Sequence, residues 1–221
     1  MLVRKVLITG GTGGIGSSIV ERFKDKGHNV FAPTHQQLDL SLPIDLQLTD
    51  WNYDVVINCA GINDVMNLRE ASMFDFFNIK NTIHIDFYAP YQIIQMVLPY
   101  MVKNSYGRII NIGSIWQEFT KEGRSSYSIA KSALHALTKS VAVEYGKNGI
   151  LCNTISPGFI DTNLTKKNNT EEQIESLLES IPLGRLGEPE EIANLVYQMT
   201  EQNTFITGQN IIIDGGYSCL G

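Results

Sequence analysis

Six short apolar runs recur along the 221-residue chain, each bounded by turn-forming residues and nearly all separated from the next by a stretch with helical spacing. They are KVLIT (5–9), NVFAP (29–33), DVVINCA (54–60), RIINIGS (108–114), ILCNTIS (150–156) and NIIID (210–214). Near-continuous β-branched runs of this length suit strands covered on both faces, as in a parallel sheet. Between them, apolar residues at helical spacing predict helices over 15–26, about 67–80, 83–103, 126–146, 171–179 and 189–200. Alternating strands and helices predict an α/β fold: a doubly wound parallel sheet with helices on both faces. No internal repeat, low-complexity tract or linker breaks the pattern, so residues 1–221 read as a single domain. The most polar stretch, TKKNNTEEQ (165–173), reads as the mouth of a mobile loop.

Composition narrows the partners. A hydrophobic content of 43% suits one large core, and a net charge of −6 argues against nucleic acid or an anionic membrane. No apolar run approaches the ~18 residues that a membrane span needs. The opening MLVRKVLITGG meets glycines too early for a signal peptide and reads as a strand. Cys59, Cys152 and Cys219 are too scattered for a disulfide framework or a zinc site. His28, His35, His84 and His135 form no metal-ligand spacing either. The expectation is a cytoplasmic protein without a metal.

The first strand runs into VLITGGTGGIGSSIVERF, which sets Gly10, Gly11, Gly13, Gly14 and Gly16, with Thr12 and Ile15 among them, before an amphipathic helix. Glycine lets the backbone approach a ligand closely, and a helix start offers free N–H groups and a positive dipole end. After the first strand of an alternating α/β chain, this is the context of a dinucleotide diphosphate site.

A second signal lies in SSYSIAKSAL (125–134), where Tyr127 and Lys131 stand four residues apart on one helix face. An ammonium beside a phenol favours the phenolate, which is a device for moving a proton. On spacing alone, a solvated Tyr–Lys pair is the better account.

The two signals together, Thr9-Gly10-x3-Gly14-x-Gly16 and Tyr127-x3-Lys131, resemble the short-chain dehydrogenase/reductase family. Further segments are similar to that family in order along the chain: NCAG (58–61), Ser114 thirteen residues before Tyr127, PGFIDT (157–162), RLGEPEEIA (185–193) and ITGQNIIIDGG (206–216). The resemblance covers essentially the whole chain and points in particular to 3-oxoacyl-[acyl-carrier-protein] reductases. It implies a single-domain Rossmann-like fold of about seven strands that uses NAD(P)H to reduce a ketone to a secondary alcohol. In that reading Tyr127 donates the proton, Lys131 lowers its pKa and holds the nicotinamide ribose, and Ser114 positions the carbonyl oxygen. A charge ~4 Å away at an effective dielectric of ~20 is worth about 4 kcal/mol, enough to move a phenol by ~3 units. The nucleotide contacts implied are the glycine loop, Thr34 and His35 after the second strand, and Asp39-Leu40 at the adenine. Asn58, Ala60 and Gly61 complete that side, with Pro157, Gly158, Ile160 and Thr162 near the nicotinamide. Asn111 is read as structural, and Cys59 as a small buried residue without a nucleophilic role.

Several points depart from the family pattern. The segment APTHQQLDLSLPIDLQLTDWNYD (32–54) leaves little room for the usual helix between strands. Asp86 stands where the family has an asparagine that marks a helix bend and whose carbonyl holds a water linking the lysine to solvent. Aspartate keeps that carbonyl, so Asp86 is expected to tune the relay; alternatively it faces away and only braces the helix. Thr34 stands where NAD enzymes place a carboxylate, so NADP(H) is expected to be preferred, with NAD(H) possible. Arg108, and Lys147 beside Asn148, half-match the basic residues with which the carrier reductases receive an acidic carrier. A small polar ketone or sugar is the alternative substrate, and a nucleotide-binding sensor without catalysis is the alternative class. The substrate lid, around 159–180, is expected to be loop-like. The helices at 83–103 and 126–146 are expected to pair across two-fold axes into a homodimer or homotetramer.

Overall fold

A computed structural model of the chain describes all residues except 1, 45–47, 49, 66, 67, 69–72 and 221. The six apolar runs all form strands: β1 (Lys5–Thr9), β2 (Asn29–Phe31), β3 (Val55–Asn58), β4 (Gly107–Ile112), β5 (Ile150–Pro157) and β6 (Asn210–Ile213). They make one fully parallel sheet in the order β2-β1-β3-β4-β5-β6. The described residues hold six strands, against about seven expected. The described residues of the short segment between β2 and β3 form turns and irregular structure, with Leu38, Ile44 and Trp51 buried beside the sheet.

Side chains alternate across each strand, and this divides the interior in two. Val6 and Ile8 of β1, Val55 and Ile57 of β3 and Ile110 of β4 meet Ile19 and Phe23 of α1 (Gly14–Asp25). The same layer contains Ile192 and Val196 of α7 (Pro189–Glu201). Leu7, Val56 and Ile109 point to the other side, against Ile93, Val97 and Met101 of α3 (Ala89–Asn104) and Val141 of α4 (Ser125–Tyr145). Each fully buried Ile, Leu or Phe stabilises this arrangement by about 1.5–3 kcal/mol.

The helix expected at 67–80 appears as α2 (Met73–Ile83), and its earlier part, apart from residue 68, lies outside the described residues. Between α2 and α3 the chain makes a π-helical turn, His84–Tyr88, centred on Asp86. Such turns inside α-helices often sit at functional sites. The polar stretch expected to be a loop is helical at both ends. It overlaps α5 (Asn163–Lys167), which was not expected, and then α6 (Glu171–Ser180), the helix expected at 171–179, which Thr170 starts with a reciprocal cap to Gln173. Thr170 followed three residues later by Gln173 is a capping box, which offsets the polarity that made the segment look unstructured.

The strand order reverses direction at β1 and β3, so a crevice opens beyond their carboxyl ends. The glycine loop and Cys59–Gly61 meet there. Among the described residues no helix is long and apolar enough to cross a membrane, and no group of potential metal ligands is found.

Candidate active site

The turn after β1 is built around contacts that only glycine permits. Gly10 has φ +70°, and a Cβ there would lie 2.7 Å from the backbone of Ala60. A Cβ on Gly16 would come within 2.0 Å of the Gly10 carbonyl oxygen, to which Gly13 N–H already donates at 3.0 Å. Thr9 anchors the neighbouring loop by accepting from the N–H groups of Cys59 and Ala60. Helix α1 then starts at Gly13 with no side-chain cap and no acidic residue in its first turn. Its N–H groups and positive dipole end are left for an anion.

From this loop a cavity of about 550 Å³ extends to the start of α4. Gly10, Thr12, Gly13, Gly14, Ile15 and Gly16 line one end, and His35, Asp39 and Leu40 form its margin. Ala60, Gly61, Pro157, Gly158, Ile160 and Thr162 line the middle; Ser114, Tyr127 and Lys131 line the far end. Three residues expected at the nucleotide do not line it. Gly11 packs where a Cβ would strike Ala32, and Thr34 is exposed, with its N–H and hydroxyl on Gln37. Asn58 is 2% exposed and donates to Asn111 Oδ1. Asn111 passes the chain of bonds to Thr138 and then Thr154, which ties β3, β4, α4 and β5 together as a structural network. The residues present fit a dinucleotide: a glycine cradle, an uncapped helix start and a cavity long enough to connect them to Tyr127.

At the far end, Ser114 follows β4 and accepts from Trp116 N–H at 3.3 Å, with its hydroxyl close enough to Tyr127 to draw its pKa down. Lys131 is buried, with Nζ donating to Ile112 O at 3.0 Å, and stands 5.4 Å from the centre of the Tyr127 ring. The spacing read from sequence thus brings all three groups together.

A family profile described as Enoyl-(Acyl carrier protein) reductase matches residues 47–218, and one described as RmlD substrate binding domain matches residues 4–73. The 3-oxoacyl-[acyl-carrier-protein] reductase of Buchnera aphidicola subsp. Schizaphis graminum is 33% identical over 240 residues, covering 96% of each chain. The chain belongs to the short-chain dehydrogenase/reductase family. Among solved structures, Thermoplasma acidophilum aldohexose dehydrogenase is similar at a TM-score of 0.87 and 27% identity, over 98% of this chain and 94% of that one. A 4-hydroxyisoleucine dehydrogenase complexed with NADH is similar at a TM-score of 0.84 and 27% identity, over 98% and 99%.

This short-chain dehydrogenase carries its largest departure at the lysine. Asp86 does not face away: Oδ2 lies 3.3 Å from Lys131 Nζ, Oδ1 accepts from Ile62 N–H at 2.8 Å, and the side chain is fully buried. Gly61 leaves the space, since a Cβ there would meet Asp86 Oδ2 at 3.0 Å and Lys131 Nζ at 3.3 Å. Burial raises the Asp86 carboxyl above its ordinary range, against the pull of Lys131 and of Ile62 N–H. Burial alone would lower Lys131; Asp86 and Tyr127 overcome that and hold it as an ammonium. Tyr127 is raised by burial and by Asp86, and drawn down by Lys131 and the Ser114 hydroxyl. The lysine charge expected to act on the phenol alone is therefore shared with a carboxylate. Cys59 backs the cavity with its thiol pushed up to about 12 by burial, which leaves it un-ionised and inert as a nucleophile.

The substrate end of the dehydrogenase also contains residues that the sequence motifs do not mark. Trp116 and Phe159 line it, in edge-to-face contact at 5.9 Å, with Lys121 and Arg124 beside them. A signal for Arg124 existed in its position three residues before Tyr127, one turn earlier along the same face.

Proposed function

We propose that the protein reduces a ketone to a secondary alcohol, with NADPH as the preferred donor and the 3-oxo group of an acyl compound as the reacting carbonyl. The observation that carries this reading is the convergence of Ser114, Tyr127 and Lys131 on one cavity with an uncapped, glycine-cradled helix start. The glycine loop and the α1 N–H groups would hold the diphosphate, Asp39 and Leu40 the adenine, and Pro157 to Thr162 the nicotinamide. The bound nucleotide supplies the hydride. Tyr127 gives its hydroxyl proton to the carbonyl oxygen, which Ser114 holds by a second hydrogen bond. Lys131 stabilises the phenolate left behind, and Asp86 sets how strongly it does so. Preference for NADPH rests on residues 34–36, which place no carboxylate where a 2′-phosphate would lie. Three free cysteines and similarity to 3-oxoacyl-[acyl-carrier-protein] reductases support a cytoplasmic setting.

A 3-oxoacyl thioester is the first form of the substrate, by similarity to relatives named 3-oxoacyl-[acyl-carrier-protein] reductase. Carrier docking gains little from Arg108, whose Nη1 is committed to the carbonyls of Gly107 and Gly149 and whose guanidinium covers the Tyr106 ring. A small polar ketone is the second form, favoured by Lys121 and Arg124 at the cavity's substrate end. Following NADPH oxidation with acetoacetyl thioesters and with polar ketones tests the reading. No turnover of any ketone with either nucleotide would leave the sensor class in its place.

A further inference from the structure

Besides Lys131, two cations line the substrate end of the cavity, Lys121 and Arg124. Lys131 is matched by Asp86, but no carboxylate of the described residues lies within ion-pair distance of Lys121 or Arg124. Asp64, the nearest acid to act on Arg124, faces Lys167 instead. Among the described residues the one carboxylate lining the cavity is Asp39, at the adenosine end. A chain with net charge −6 thus leaves its substrate chamber positive.

Arg124 is the sharper case. It is 4% exposed, and an unpaired buried guanidinium is costly to keep. Its Nη1 donates to both the carbonyl and side-chain oxygens of Asn63. Nε is buried with no acceptor, and Nη2 has none among the described residues. Those two N–H groups form one edge of the planar fork, an edge that donates to the two oxygens of a carboxylate. Arg124 precedes Tyr127 by three residues at the start of α4, so the two side chains stand about 5 Å apart along the helix axis. A carbonyl oxygen held by Tyr127 and Ser114 therefore brings a group two bonds further along the substrate within reach of that edge. Lys121, 5.6 Å from the Trp116 ring centre, adds a second positive charge beside an apolar wall.

We propose that the substrate is a short 3-oxo acid with a free carboxylate, bound by the spare edge of Arg124 and assisted by Lys121. This rests on the ketone-reductase reading above and departs from the thioester, which is neutral at that position. The reaction balances as a two-electron reduction: hydride from the nucleotide goes to the carbonyl carbon, the Tyr127 proton to its oxygen, and the carboxylate is unchanged.

The test compares acetoacetate with its neutral counterpart acetoacetamide. In the wild type, acetoacetate should be reduced with the higher kcat/KM. Arg124→Lys and Arg124→Gln should lower kcat/KM for acetoacetate by about 10- to 100-fold, the scale of a charge-assisted bidentate contact, with a several-fold smaller loss for acetoacetamide. Arg124 also holds Asn63, so an equal loss for both substrates would mean a bracing role and overturn the proposal. Lys121→Gln, which leaves Asn63 untouched, should lower the acetoacetate value alone by several-fold. Calorimetric titration of acetoacetate into NADP⁺-loaded protein, which cannot turn it over, separates this proposal from the broader reading. Binding that is present in the wild type and lost in Arg124→Gln supports the carboxylate site even if no ketone is reduced. Reduction of acetoacetamide without any carboxylate binding overturns the site and leaves the ketone-reductase reading standing.

Discussion

The two ends of the cavity are built from different material. The nucleotide end is backbone: glycines without a Cβ, an uncapped helix start and N–H groups from consecutive residues. The substrate end is side chain: Ser114, Tyr127, Lys131 and Arg124, positioned by β4 and α4, with Lys131 held on the Ile112 carbonyl of β4 and Arg124 on Asn63 from elsewhere in the chain. A backbone site depends on steric permission at a few positions, so it fails abruptly when one is filled. A side-chain site depends on charges that balance one another, so it can be adjusted by degrees.

The largest effect should come from removing the proton itself. Tyr127→Phe should lower turnover by about 10²- to 10⁴-fold with nucleotide affinity nearly intact, read from steady-state kinetics and nucleotide titration. A variant that keeps most of its turnover would remove Tyr127 from the chemistry and dissolve the division between the two ends. Next comes the backbone end. Gly16→Ala forces a methyl against the Gly10 carbonyl and should abolish measurable nucleotide binding, with a loss of about 1–3 kcal/mol of stability from overpacking. Intact nucleotide binding by this variant would show that the turn is more pliable than its contacts imply.

Gradual adjustment is tested at Asp86. The carboxylate raises the Tyr127 phenol, so Asp86→Asn removes that push while Lys131 continues to pull the phenol down. The working phenolate then forms at lower pH, and the pH–rate profile for alcohol oxidation should move to lower pH. Superimposable profiles would mean that the ion pair at 3.3 Å has no electrical influence on the reaction. The smallest effect is expected at the margin of the nucleotide end. NADPH should bind several-fold more tightly than NADH, since residues 34–36 contain no acid but also no arginine or lysine. Tighter NADH binding by titration would reverse this. Assembly offers a last check. Tyr88 and Tyr91 stack on an exposed face at the start of α3, and Ile129 and Val143 are exposed on α4. A dimer or tetramer is therefore expected by light scattering, and a monomer at micromolar concentration would contradict it.

The amino-acid sequence by itself determined the six strands, the alternation that splits the core into two layers, and the glycine turn. These depend on local spacing and on the absence of side chains, both visible in the chain as written. It also determined that Tyr127 and Lys131 share a face, because four residues make one turn wherever the helix is placed. Its limits fall where distant segments meet. Thr34 and Asn58 follow the family motif in position, but Gln37 and Asn111 occupy their polar groups. The polar lid hid the short helix α5, because the Thr162 side chain that starts it by accepting from Thr165 N–H matters more there than composition. Whether Asp86 faced the relay was open from its position alone, and only the π-helical turn, with Gly61 across from it, brought the carboxylate onto Lys131. Arg124 is one more arginine until folding buries it beside the cavity and leaves one edge of its fork without an acceptor. Charge balance in a buried site is a sum over groups from different parts of the chain, and that sum exists only once the tertiary structure has placed them.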